Sequence, residues 1–302
     1  MLPFCLVYSD NYDLHFGEHV FPTRKYKLIH RRLQEIGVAR AGDFLAPSPI
    51  TRDQLLLVHS AEWVNKLESG TLTYHEVVKL EVPYSRQMVD AVMLQCGGTL
   101  LASRRALEGQ NVCINIGGGF HHAFAGHGEG FCALNDIAVA VRVLQAERRI
   151  ERAMVIDLDV HQGNGTASIF SGDGNVFTLS LHQFDNYPFE KPPSTLDVHL
   201  ADHTGDAEYL EKLHETLIPA VEEHKPELAI YVAGTDPYLE DQLGGLALTK
   251  AGMKRRDRFV FETCRGANVP VAAVLAGGYA RKLEDTVELH TNMVLAAREV
   301  YL

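Results

Sequence analysis

The chain is poor in the features that a membrane protein, a disulfide scaffold or a nucleic-acid binder requires. No uncharged apolar run approaches the ~20 residues needed to span a bilayer, so no transmembrane helix is expected. The apolar opening Met1–Tyr8 is short, lacks a basic leader and runs on into polar sequence. It predicts a first strand and not a signal peptide. Cysteine is sparse: Cys5, Cys96, Cys113, Cys132 and Cys264 make five, with no CxxC pair among them. An odd, scattered set argues against a disulfide framework or an all-cysteine metal site and points to a reducing, cytoplasmic compartment. Positive charge is short as well. Lys+Arg number 28 against 39 Asp+Glu, a net charge of -11 that suits neither phosphate backbones nor nucleic-acid partners. There is no internal repeat, low-complexity tract or linker. What remains is ordinary for a globular chain: 302 residues, 46% hydrophobic and 22% charged. That is too apolar for disorder and long enough for a substantial core.

The pattern along the chain is strand, loop, helix, repeated. Phe4–Tyr8 is a short apolar run, and Tyr26, Ile29, Leu33 and Ile36 recur at helical spacing up to Gly37. Thr51 and Gln54 form a capping-box start. Ser60–Glu68 and Ser85–Glu108 read as further helices. Beyond residue 112 come five short β-branched runs: Val112–Ile116, Ala153–Leu158, Val176–Leu181, Leu228–Val232 and Val269–Leu275. They are continuous rather than alternating, as in strands buried on both faces of a parallel sheet. Helical segments intervene at Asn135–Arg148, Asp206–Glu223, Thr249–Arg265 and Leu283–Glu299. Alternation of this kind predicts right-handed βαβ units in one α/β domain covering residues 1–302. Gln183–Thr204, with Pro192-Pro193, reads as a long surface loop that serves a site.

Ligands of open parallel sheets bind beyond the carboxyl ends of the strands, and the chemically loaded residues cluster there. Gly117-Gly118-Gly119-Phe120-His121-His122 follows the strand at 112. Asp157-Leu158-Asp159-Val160-His161 ends the strand at 153. Gly234-Thr235-Asp236 follows the strand at 228, and Gly277-Gly278-Tyr279 the strand at 269. Asp159 and His161 are two apart, so both can face one side of a strand end. With Asp236 they form a mixed N/O set that suits a catalytic divalent ion: zinc, ferrous iron or cobalt. Taken alone, Asp159 would be a helix cap and His161 a satisfied histidine; the triplet on one rim outweighs that.

Adjacent imidazoles at His121 and His122 allow separate base and acid roles. Tyr279, after two glycines at a strand end, is placed to donate to a developing oxyanion. Gly126-x-Gly128-x-Gly130 and Gly163-x-Gly165 resemble phosphate cradles only weakly, since neither has the spacing of a dinucleotide fingerprint or the ending of a P-loop. No Gly-x-Ser-x-Gly elbow occurs. The other histidines, His59, His182 and His290 among them, read as surface, helix-end or strand-end residues.

The segments GGGFHHA (117–123), GFCALNDIAVA (130–140), VIDLDVHQGNGTASIF (155–170), TLSLH (178–182), GTDPYLEDQLGGLALT (234–249) and LAGGY (275–279) resemble those of one family. It comprises the zinc-dependent histone deacetylases with their bacterial relatives, the acetylpolyamine amidohydrolases and acetoin-utilisation proteins. The match covers most of residues 112–280; the first hundred residues match loosely, through Tyr8, His15 and the Pro22–Arg32 segment. The resemblance implies the arginase/deacetylase fold, a single α/β domain on a mainly parallel, roughly eight-stranded sheet with helices on both faces.

It also implies zinc ligands Asp159, His161 and Asp236, a catalytic pair His121 and His122, and an acyl-oxygen donor Tyr279. Asp157 would stand behind His121 and Asn164 behind His122. A structural K⁺ or Na⁺ would use the Asp157 carboxylate, the Ser180 hydroxyl and backbone carbonyls of Asp157, Asp159, His161 and Leu181. Gly130 and Phe131 would line an acyl channel, faced by Tyr187 or Phe189, with Leu243 and Gly277 completing the substrate site. Three positions depart from the family pattern: Asn164 replaces an aspartate found in many members, Glu240 a frequent glycine, and Leu243 a methionine or charged selector. A neutral Asn164 supports imidazolium less than aspartate would, making His122 less basic.

The expected function is therefore a metal-dependent amidohydrolase that removes acetyl or another acyl group from an amine, with the ε-amine of protein lysine as first choice. Acylated polyamines or small acyl-amine metabolites are the alternative substrates. A two-metal ureohydrolase and a non-catalytic acyl-ligand binder are the alternative classes. Oligomeric state is left open.

Overall fold

The computed structural model describes residues 2–302. Eight strands form one sheet: β1 (Cys5–Val7), β2 (Phe44–Leu45), β3 (Val112–Asn115), β4 (Ala153–Asp157), β5 (Val176–Gln183), β6 (Leu196–Leu200), β7 (Leu228–Val232) and β8 (Val271–Val274). Their spatial order is β2-β1-β3-β8-β7-β4-β5-β6, and every pairing is parallel. Every residue of β3, β4, β7 and β8 is buried. That explains the unbroken apolar runs, since both faces of these strands meet helices.

The helices are α1 (Lys25–Glu35), α2 (Arg52–Leu55), α3 (Ala61–Ser69), α4 (Tyr74–Leu80), α5 (Arg86–Arg105), α6 (Asp136–Ala146), α7 (Asn164–Ile169), α8 (Asp206–His224), α9 (Lys250–Gly266) and α10 (Leu283–Tyr301). α1, α10, α9 and α8 pack in succession as one layer, while α5 and α6 pack together as another. Their starts follow local chemistry. The side chains of Thr51, Ser60 and Ser85 each accept the backbone N–H three residues on, and α3 stops at Gly70 in the left-handed region.

Four elements escape the sequence pattern. β2 has only two residues, and α7 is a short turn of helix inside the 155–170 motif. α4 begins with a capping box, Thr73 and Glu76, of the same kind as Thr51 and Gln54. β6 lies inside the stretch expected to be irregular. It is the sheet's edge strand and only partly buried, so Leu196, Val198 and Leu200 alternate with Asp197 and His199 and make no apolar run.

One cysteine pair also escapes the sequence reading, which argues only against a disulfide framework. Cys5 and Cys113 are register partners on β1 and β3, with Cα atoms 5.1 Å apart, and form a disulfide. Their separation of 108 residues hides a pairing that only strand register reveals. The scattered cysteines thus lose weight as an argument for a reducing compartment. Among the described residues no helix is long and apolar enough to cross a membrane.

Candidate active site

β3, β8, β7 and β4 are consecutive neighbours in the sheet, so the loops leaving their carboxyl ends converge. Buried polar side chains from the flanking helices hold those loops. Asp136, at the start of α6, accepts the N–H groups of Gly119 (2.9 Å) and Phe120 (2.7 Å) and fixes the turn before the histidine pair. Arg256 of α9 donates to the carbonyls of Leu158 (3.1 Å) and Gly234 (2.8 Å), clamping the loops after β4 and β7 together. Lys25 of α1 donates to the carbonyl of Ala276 (2.5 Å) in the loop after β8.

The structure brings Asp159, His161 and Asp236 together. One candidate ligand atom from each lies within 4.8 Å of the others, and all three residues are buried. Asp236 Oδ1 accepts the Val160 N–H at 2.9 Å, while its Oδ2 is buried without a hydrogen-bond partner. Asp159 Oδ2 accepts the Gly277 N–H at 2.9 Å. His161 Nδ1 lies 3.1 Å from Asp159 Oδ1 and 3.4 Å from Asp236 Oδ2. Burial, then the charge of Asp159, pushes the Asp236 carboxyl up to about 7. Burial acts against charge on His161, yet its hydrogen bond to Asp159 and the nearby Asp236 carboxylate raise it to about 10. Two desolvated carboxylates, one with an orphaned oxygen, and an imidazole at their side fit a divalent cation with an open coordination position. The residues expected as ligands are therefore the ones whose geometry suits the role.

The tandem histidines sit in different environments. His121 Nδ1 donates to Asp157 Oδ2 at 2.8 Å, and His122 Nδ1 donates to Asn164 Oδ1 at 2.8 Å. Burial disfavours charge on His121, but the Asp157 and Asp159 carboxylates raise it to about 9. His122 has no carboxylate in contact. Burial, then the neighbouring His121 and His161, holds it well below the ordinary histidine value. The two environments thus drive the pair in opposite directions, His121 toward the charged form and His122 toward the neutral one.

A pocket of about 170 Å³ opens over these groups, lined by His122, Gly130, Phe131, His161, Tyr187, Leu243 and Tyr279, with Glu81 and Asn186. Tyr187 is the aromatic opposite Phe131; its ring lies 4.9 Å from that of His122. Gly130 is required where it stands. Its φ is +51°, and a Cβ there would come within 2.8 Å of both His122 and the Tyr187 hydroxyl. Burial, then Asp236 and Asp159, raises the Tyr279 phenol well above its ordinary value, keeping it a donor.

Two expected substrate residues do not line this pocket. The Phe189 ring is 99% exposed and faces a separate depression with Phe184 and Lys191. Gly277 packs behind the Asp159–His161–Asp236 cluster, where a Cβ would run into Asp236; its contribution is the N–H given to Asp159. Ser180 and Leu181 are buried on β5, and Ser180 is the register partner of Asp157, with its hydroxyl on His182. Glu240, flagged as a departure, is exposed and gives its carbonyl to the Arg281 N–H.

Sequence reasoning missed several supports. Asp241 accepts the N–H groups of Tyr279 (2.7 Å), Leu243 (2.8 Å) and Gly244 (3.0 Å), tying the phenol's backbone to the pocket wall. Asp136, Arg256 and Lys25 are buried charges with no local signature, because each reaches a loop distant in sequence. Glu129 lies between the glycines read as a weak phosphate cradle, yet its carboxylate faces Asn164. His59 and His290, expected at surfaces or helix ends, are buried, while His182 stands near the end of β5 as expected and is buried as well.

The sequence profile of the histone deacetylase domain matches residues 19–294. The chain is 42% identical over 299 residues to an uncharacterized protein of Picosynechococcus sp., covering 99% of each. It is 34% identical to histone deacetylase 2 of Arabidopsis thaliana, over 94% of this chain and 77% of the relative. It is 29% identical to the acetoin utilization protein AcuC of Bacillus subtilis, over 80% of this chain and 68% of that one. The crystal structure of the HDA15 HD domain superposes with a TM-score of 0.83, covering 99% of this chain and 96% of that one. At 23% identity this likeness establishes the fold, the α/β arginase/deacetylase architecture. With a family profile spanning nearly the whole chain and the family's motifs gathered on one rim, this protein belongs to the histone deacetylase superfamily.

Proposed function

We propose that this chain is a zinc-dependent deacylase that hydrolyses the amide of an acylated amine, with the ε-amine of lysine as preferred substrate. The observation that carries the reading is the Asp159–His161–Asp236 cluster at the floor of a narrow pocket walled by Phe131, Tyr187 and Leu243. A zinc ion held there, or ferrous iron, would supply Lewis acidity toward the amide carbonyl and acidify water. The protein's own groups do the rest. Neutral His122 keeps its Nε2 lone pair free, because Nδ1–H is committed to Asn164, and it takes the proton from water. His121, held cationic by Asp157, stabilises negative charge developing beside it and is poised to protonate the departing amine. Tyr279 donates its phenol hydrogen to the oxyanion.

The aromatic and leucine walls suit an aliphatic lysine stem, and Glu81 places a carboxylate at the pocket. That carboxylate also supports a second substrate class, acylated polyamines, whose remaining amines are cationic. The family resemblance also implies a structural K⁺ or Na⁺, which Asp157, Ser180, Leu181 and the carbonyls of Asp159 and His161 would hold; Asp157 and Ser180 are register partners on β4 and β5. Among the described residues the Asp159–His161–Asp236 group is the single three-ligand cluster, which favours a one-ion centre over a ureohydrolase's two.

The test is turnover of a series of acyl chain lengths on lysine peptides and on polyamines, with and without a chelator. Chelator-sensitive release of the acyl group from at least one series is expected. Binding without turnover across both series would instead make the protein an acyl-ligand binder.

A further inference from the structure

Behind Asn164 lies a group that neither the motifs nor the comparisons assign. Glu129 is 7% exposed, yet three donors surround its carboxylate: Asn164 Nδ2 at 2.5 Å, Lys79 Nζ at 2.8 Å and the Tyr187 hydroxyl at 3.1 Å, while His127 Nε2, 3.3 Å away, accepts from the same Lys79 at 2.9 Å. We propose that Glu129 is a positioning residue that locks the Asn164 amide, and through it the Nδ1–H tautomer of His122. This rests on the deacylase reading for its catalytic consequence but not for its structural content.

The argument is one of hydrogen-bond polarity. An asparagine amide can face a neighbour with either end, and an imidazole can carry its proton on either nitrogen, so the His122–Asn164 contact alone allows two arrangements. An ionised carboxylate only accepts. Glu129 therefore takes the Asn164 NH₂ group and turns Oδ1 toward His122, where it accepts from Nδ1 at 2.8 Å and from the Gly165 N–H at 3.0 Å. Nδ1 must then carry the proton, and Nε2 is left as the base. Burial alone would raise the Glu129 carboxyl, but its contacts with His127, Lys79 and Asn164 hold it at about 2 and keep it ionised, while the Tyr187 hydroxyl helps to fix it in place. An aspartate at this position would combine orientation and charge in one side chain. Here the amide touches His122, and the charge stands one residue further back.

This division predicts a reversal of sign. Asn164→Asp in the native background sets two carboxylates in direct contact, so it should lower kcat although it installs the residue many relatives carry. Adding Glu129→Gln should restore activity. The amide introduced by that change can donate to the new carboxylate, whose other oxygen receives the His122 proton. Glu129→Gln alone should cost roughly 10- to 100-fold in kcat, the usual range for a partner behind a site residue. The tautomer is read without substrate, from long-range ¹⁵N–¹H correlations of the imidazoles, with His122 assigned by difference from His122→Asn. Wild type should be protonated on Nδ1, and Glu129→Ala should shift His122 toward the Nε2–H form or a mixture. Should Glu129→Ala destabilise the fold, Glu129→Gln and the double variant provide the same comparison. A wild-type tautomer in Glu129→Ala, or effects of N164D and E129Q that simply multiply, would overturn the proposal. A wild type with the expected tautomer but no turnover of any acyl-amine would overturn the deacylase reading and leave this one standing.

Discussion

The pocket has two sides built on different principles. The rear, at the ends of β4, β7 and β8, is saturated with short polar contacts: Asp159 takes the Gly277 N–H, Asp236 the Val160 N–H, and Arg256 clamps two loops from beneath. The front consists of loops carrying Phe131, Tyr187 and Leu243, where ring packing replaces hydrogen bonding to strand ends and exposure rises. Chemistry that tolerates little displacement is held by the sheet, and the wall that would discriminate among acyl groups is held by loops. The same contrast runs between the two histidines. His121 faces inward to a strand-borne carboxylate, while His122 faces the loop side through Asn164 and Glu129.

If the contrast is sound, damage to the rear should abolish function outright. Asp159→Ala or Asp236→Ala should eliminate stoichiometric metal, read by elemental analysis of the purified protein, with no turnover left to measure. Metal retained at one equivalent in either variant would remove that residue from the ligand set. Next in size is Tyr279→Phe, which keeps the ring but deletes the donor. Metal content should stay unchanged while kcat falls roughly 10²–10³-fold, as for loss of one oxyanion donor. A kcat near that of wild type would take the phenol out of the reaction.

Asp157→Asn probes the inward histidine, with an expected loss of roughly 10- to 100-fold. Its pH dependence has a definite sign. The Asp157 and Asp159 carboxylates, overcoming burial, raise His121 to about 9, so the imidazolium is present below that value and lost as pH rises through it. Removing the Asp157 charge lowers that pKa, and the alkaline limb of the kcat profile should move to lower pH. A shift confined to the acid limb would mean that His121 works in its neutral form.

The rear wall was also the legible one. Asp-x-Asp-x-His, Gly-Gly-Tyr and the tandem histidines lie on strand ends whose apolar runs are unmistakable, so local pattern and spatial placement coincide. The five interior runs correspond to β3, β4, β5, β7 and β8. What stayed hidden depends on contacts between distant segments. Lys25 reaches Ala276, Arg256 reaches Leu158, and Cys5 meets Cys113 only because β1 and β3 align. Glu129 was in view but framed by glycines that drew a weak phosphate-loop interpretation. Its partner Asn164 was recognised as a departure, whereas the compensating carboxylate lay 35 residues away. The edge strand β6 was missed because half-exposure erases the continuous apolar signature of its neighbours.

The smallest effects test the front wall. Leu243→Ala enlarges the pocket by removing an apolar contact without touching a polar group. KM for short acyl chains should rise by up to roughly tenfold, with kcat nearly unchanged, as expected for lost uniform binding. Phe189→Ala should do less still. Tyr187 and Phe189 are two residues apart on one loop, and sequence alone left both as candidates for the aromatic facing Phe131. The structure turns Tyr187 inward, against His122 and Glu129, and leaves Phe189 in solvent. Truncating an exposed ring away from the pocket should change kcat/KM on an acylated lysine peptide by no more than about twofold, the scale of an ordinary surface substitution. A larger loss confined to peptides, with small acyl-amines unaffected, would move Phe189 from bystander to a contact for the chain beyond the acylated side chain. The front wall would then extend past the pocket mouth.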